Sequence, residues 1–181
     1  NKDEQYLEYL RKIIEYAKEH GATATLVCAY NEDSQCDIAI QHALEACVWD
    51  NNLFDHALEA CKHLKDVDKA WEVVNKALEL GLVPTESNMV LLIDVHNASK
   101  EGDIRRVVEL LKSLKMMMNF AIVDKLAVYF ASRGQFDVAW NIHNQLVGKD
   151  SEERVAVLGL YISCEQGDKD KAMEYFTMLG D

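Results

Sequence analysis

Proline is almost missing from this chain. The one residue, Pro84, lies in the connection Gly81-Leu82-Val83-Pro84-Thr85, where its missing N–H interrupts no helix. No Pro- or Ser-rich linker and no low-complexity stretch divides the 181 residues, so composition marks no domain boundary. No apolar run approaches the roughly 20 residues a bilayer-crossing helix needs, and the first residues are too charged for a signal peptide. A soluble protein with no membrane partner is expected. Cysteine is odd in number, five, at positions 28, 36, 47, 61 and 164, with no paired spacing. That argues against a disulfide framework and for a reducing compartment, with the thiols serving as small core hydrophobes. No segment alternates like a strand. There is no P-loop, no H-E-x-x-H, no nucleophile elbow and no paired glycine fingerprint. The carboxylates spread over helix faces without converging, as solvated side chains do. The reading is therefore a non-enzyme with no cofactor, no metal and no evident small-molecule substrate. Positive charge is short as well: 19 Lys and Arg stand against 31 Asp and Glu, a formal net charge of -12. Such a field repels nucleic acid at long range.

What the chain has is a phrase repeated five times, opening at Ser34, Lys65, Gly102, Gly134 and Gly167. Its last four copies read K-D-V-D-K-A-W-E-V-V, G-D-I-R-R-V-V-E-L-L, G-Q-F-D-V-A-W-N-I-H and G-D-K-D-K-A-M-E-Y-F, and S-Q-C-D-I-A-I-Q-H-A is a weaker first copy. Spacings of about 31 to 37 residues are the period of a helical-repeat solenoid. Asp37, Asp68, Asp137 and Asp170 fall in a first helical turn, facing unpaired N–H groups and the positive end of the dipole; Arg105 is the exception. Ala39, Ala70, Val107, Ala139 and Ala172 keep a column small for a close neighbour, and Ile40, Trp71, Val108, Trp140 and Met173 begin an apolar stripe. An apolar column at Val27, Leu58, Val95, Ala127 and Leu160 lies in a helix preceding each copy, so each unit is two helices joined by a turn.

The pattern predicts helices over 3–19, 22–31, 34–48, 51–63, 67–80, 86–100, 103–115, 119–133, 135–147, 151–166 and 168–179. Gly21, Gly81, Gly102, Gly134, Gly148 and Gly167 stand at their ends as left-handed stops. The expected architecture is all-α: a right-handed α-solenoid of about five antiparallel hairpins, forming one domain over 1–181. Residues 1–21 cap it, with Tyr6, Leu7, Leu10, Ile13, Ile14 and Ala17 on one face, and the repeats cover about 22–49, 50–84, 85–118, 119–150 and 151–181. A chain that starts at Asn1 without methionine and ends in a second helix reads as a trimmed or processed fragment.

The segment A-L-E-L-G-L-V-P-T-E, Ala77 to Glu86, followed by a helix and then E-G-D-I-R-R-V-V-E-L-L, resembles a pentatricopeptide repeat. Units of that family close with Gly-x-x-Pro and open their second helix after Gly. The copies at Gly134 and Gly167 are similar to it too, and the Asp-x-x-Ala spacing is shared with tetratricopeptide repeats. The resemblance covers roughly Ala22 to Asp181, with one Gly-x-x-Pro ending. It implies a superhelix of hairpins, often in mitochondria or plastids, that binds single-stranded RNA one base per repeat through two or three side chains. The implied base readers fall on Ala24, Asp55, Leu92, Asp124 and Val157, with second readers at Asp50, Ser87, Asn119 and Glu152. Apolar Ala, Leu and Val cannot bond a base edge, which leaves Asp55 and Asp124.

Poor readers and acidic charge together point to a protein or peptide partner held on the inner, first-helix surface. Its expected contributors are Asp55, Leu92, His96, Asp124 and Val157. Single-stranded RNA binding is the alternative, and a structural subunit of a large organelle assembly a further one. A basic cluster of Lys100, Arg105, Arg106, Lys112 and Lys115 reads as a solvated helix face, or as a contact for phosphate or an acidic partner. H-A-L-E-A-C occurs twice, at His42 to Cys47 and His56 to Cys61. These are zinc-type ligands, but His and Cys five apart on a helix point in different directions. Met116, Met117 and Met118 beside Phe120 read as a helix junction, or else as an adaptable apolar surface.

Overall fold

The structure is a computed structural model that describes residues 2–99, 102–116 and 119–180, and among these every regular element is an α-helix. In chain order they are α1 (Lys2–His20), α2 (Thr23–Glu32), α3 (Cys36–Glu45), α4 (Asn51–Leu64), α5 (Val67–Glu79) and α6 (Glu86–Ala98). They continue with α7 (Arg105–Ser113), α8 (Phe120–Ser132), α9 (Phe136–Leu146), α10 (Glu152–Gln166) and α11 (Lys169–Leu179). The sequence pattern placed each of them within a few residues of its ends. Lys100, Met117 and Met118 lie outside the described residues.

Backbone contacts gather the chain into two compact units, Asn1–Val108 and Glu109–Asp181. In the first, α1 packs on α2, and from α2 to α6 each helix touches the next; α2 also meets α4, α4 meets α6, and α3 meets α5. In the second, α8, α9, α10 and α11 pack in succession and α8 meets α10. Helix α7 spans the division.

The turn that opens each repeated phrase explains the phrase. Ser34, Lys65, Gly102, Gly134 and Gly167 all have positive φ, at 60°, 57°, 109°, 71° and 76°. A left-handed residue ends the first helix and redirects the chain into the second, and glycine adopts it without the Cβ penalty. One residue later, Asp66 and Asp168 cap the new helix by accepting from the N–H of Lys69 (2.9 Å) and Lys171 (3.1 Å). Asp103 accepts from the N–H of Arg105 at 2.9 Å. The capping carboxylate is therefore this one; Asp37, Asp68, Asp137 and Asp170 sit in the first turn and add to the dipole term.

The small column is buried as its spacing requires. Ala39, Ala70, Val107 and Ala139 are fully enclosed, while Ala172, on the last helix, is half-buried. In the first unit α4 lies deepest, with Leu53, Phe54, Ala57, Leu58, Ala60 and Cys61 all buried. Enclosing a side chain the size of Phe54 contributes about 1.5–3 kcal/mol. Burial raises the Cys61 thiol to about 12, which makes it a packing residue. The second unit's core joins Ala127, Ala131, Ala139, Leu146, Val155, Leu158 and Ile162. There Gly159 of α10 lets the Tyr175 ring of α11 lie close: a Cβ would stand 2.5 Å from its Cζ, so the ring would have to shift.

Candidate binding surface

The expected site residues separate by environment. Asp55, Leu92 and His96 belong to the first unit, Asp124 and Val157 to the second. Leu92 and His96, expected on an open surface, are instead interior residues, each 0% exposed. His96 sets its ring edge-on to Trp71, with centroids 6.2 Å apart. Neither offers a side chain to a ligand. Asp124 is half-buried and Val157 exposed.

Asp55 is committed within the fold. Its carboxylate accepts from Nδ2 of Asn88 at 2.6 Å and from Oγ of Ser87 at 3.1 Å, so the expected first reader and second reader bind each other. Asn88 is buried and tied at both ends. Its Oδ1 accepts from the Thr85 N–H at 2.7 Å, and its own N–H donates to Thr85 Oγ1 at 3.3 Å, a reciprocal cap that starts α6. Ser or Thr followed three residues on by a polar side chain was the signal, present as Thr85-Glu86-Ser87-Asn88.

Asp55 is one member of a series of bridges that link a helix to its counterpart one repeat away. Lys69 pairs with Asp37, 32 residues back. Arg106 donates to Asn75 at 3.4 Å across 31 residues and stacks its guanidinium 3.8 Å from the Trp71 centroid. Lys62 meets Asp94 at 3.6 Å, and in the second unit Lys171 lies 4.0 Å over Trp140. Lys69, Arg106 and Lys171 occupy one column of the phrase, the residue before the small one. That column was legible as a recurrent cation; its partners, a carboxylate once and an indole twice, were not.

Two members of the basic cluster, Arg105 and Arg106, are engaged by contacts within the fold. Arg105 pairs with Asp103 at 2.6 Å, which holds that carboxyl below its usual range, and Arg106 lies on Trp71. Lys112 and Lys115 are exposed. The duplicated H-A-L-E-A-C does not gather its donors. Cys61 is in the core and Cys47 on the surface, His42 stacks on Tyr30 with centroids 5.4 Å apart, and His56 contacts Glu59 at 3.2 Å.

One concavity in the first unit went unread in the sequence. A groove of about 450 Å³ opens between α1, α2 and α4. Leu10 and Ala29 form a buried floor, Ile13, Ala24 and Cys28 half-buried walls, and Tyr6 and Tyr9 an aromatic edge. Among the described residues Glu32 is the one carboxylate in the lining, with His56 also on the wall, and Tyr6 donates its hydroxyl to Glu32 Oε2 at 3.0 Å. By its sequence the apolar stripe on α1 reads as a packing face throughout. Leu10, Ile14 and Ala17 do pack, whereas Tyr6 and Leu7 remain 49% and 41% exposed.

Among the described residues no helix is long and apolar enough to cross a membrane. Compared with known proteins, the chain matches no family model and no curated sequence.

Proposed function

We propose that the chain is a non-catalytic helical-repeat scaffold: a right-handed α-solenoid of about five pentatricopeptide-like hairpins behind the capping helix α1, binding a protein or peptide on the surface of its first helices. The observation that carries this reading is the agreement between two periods. The phrase recurs every 31 to 37 residues, and side-chain bridges join residues 31, 32 and 33 apart in the folded chain. Contacts that repeat at the sequence period are what stacked hairpins make, since each unit buries its faces only against its neighbours. Stacking of this kind would line the first helices along one inner surface, suited to an extended chain.

The resemblance alone would favour RNA, and the residues favour a polypeptide. Of the two polar reader positions, Asp55 already spends both oxygens on Ser87 and Asn88. Phosphate binding draws on free Lys and Arg, and a net charge of -12 opposes it. The test pairs two titrations of the full chain: fluorescence anisotropy with a randomised single-stranded RNA pool, and selection from a random peptide library. Enrichment of peptides, with RNA binding absent at about 0.2 M salt, is expected. RNA binding that survives that salt overturns the scaffold reading and restores the RNA one.

A further inference from the structure

The groove between α1, α2 and α4 joins an apolar floor to a fixed carboxylate. We propose that it seats an extended peptide that lays an aliphatic side chain on the floor and sets a lysine or arginine between the Tyr6 and Tyr9 rings and Glu32. The inference rests on the scaffold reading and names the partner's chemistry. Its size, about 450 Å³, is within the range of preformed ligand sites. Tyr6 and Tyr9 lie about one turn apart on α1, both with large exposed area, 49% and 62%. Aromatic faces attract a cation, Arg most often, while the methylene stem of Lys or Arg covers apolar surface.

Charge selects the same occupant. Glu32 is the last residue of α2, where the negative end of the helix dipole adds to its own charge. The Tyr6 hydroxyl fixes the carboxylate at the edge of the groove, and among the described residues no Lys or Arg lines the wall to neutralise it. A phosphate or an acidic peptide meets repulsion there. A second copy of the chain carries the same net charge of -12 and is repelled as a whole. Asn52, exposed at the start of α4, gives the far wall an amide that can donate to or accept from an extended backbone.

The experiment titrates the 15N-labelled full chain with short leucine-containing peptides that differ at one residue only: Arg, Lys, Gln or Glu. The Arg and Lys peptides are expected to shift amides of α1, the end of α2 and the start of α4. They should bind about fivefold tighter than the Gln peptide, the scale of a partly solvated ion pair, and the Glu peptide should leave the spectrum unchanged. Glu32→Gln should erase the preference for Arg over Gln without lowering the Tm, and Tyr9→Ala should weaken the Arg, Lys and Gln peptides alike. Equal affinity of the Arg and Gln peptides for the natural chain overturns the proposal. Library-selected peptides whose shifts fall on other helices overturn the groove and leave the scaffold standing. A library that yields no binder overturns the scaffold itself.

Discussion

A single dihedral angle accounts for the column that opens each phrase. The residue opening each phrase must be left-handed, and three of five are glycine. Lys65 and Ser34 meet the same demand with a Cβ, at a conformational cost of roughly 1–2 kcal/mol each that glycine avoids. Part of that gain is returned through the unfolded chain, where glycine has more freedom to lose. Lys65→Gly should therefore stabilise the protein by about 0.5–1 kcal/mol in urea unfolding. Gly134→Ala should destabilise it by about 1 kcal/mol. The second cost is purely one of backbone conformation, because nothing stands within 4 Å of the position a Cβ would take at Gly134. Opposite signs at equivalent positions identify the turn as the cause, and equal signs would remove it.

At the scale of elements, one column separates α11 from the other second helices. Ala43, Val74, Leu111 and His143 are the tenth residues of their phrases and are at most 2% exposed, whereas Phe176, the tenth residue of the last, is 60% exposed. Val74→Ser should cost about 2–3 kcal/mol, since it opens a cavity and buries a hydroxyl. Phe176→Ser should change stability by less than about 1 kcal/mol. Thermal melts of the two variants test this, and comparable losses would show that α11 is covered. The same comparison tells how far the sequence could be read. Helix positions followed from apolar period and stop residues, because both act within a few residues of themselves. Leu92 was misplaced because the third copy is longer. In the other copies the first helix ends one or two residues before the phrase, but α6 ends at Ala98, four before Gly102. Counting ten back from Gly102 thus lands two or three residues too far along α6, on its core side. Asn88, the true neighbour of Asp55, is four residues earlier. His96 was misjudged for a different reason: α6 is apolar on most of its circumference, so periodicity could not say which side was enclosed. The groove escaped because it forms from three helices that no local spacing relates.

For the molecule as a whole, stability should be graded along the helices within each compact unit. Burial is concentrated in α4, which is flanked by α2, α3, α5 and α6, and it thins toward α11, which has no buried residue. Helix α11 packs on α10 but encloses no side chain, and a length of 11 residues is marginal alone in water. Amide exchange reads this directly, since each amide reports the cheapest opening that frees it. The α4 amides from Leu53 to Cys61 should exchange only through the largest opening of the first unit. Those of α11 should exchange through local fraying at about 0–2 kcal/mol, with α10 slower because Val155, Leu158 and Ile162 anchor it in the second core. A peptide seated in the groove would slow α1 and the end of α2 while leaving α11 unchanged, because binding energy reaches only those helices whose opening it must break. If α11 instead proves as protected as α4, its exposed Met173, Phe176 and Met178 face is covered in solution, and the gradient argued from single-chain burial fails.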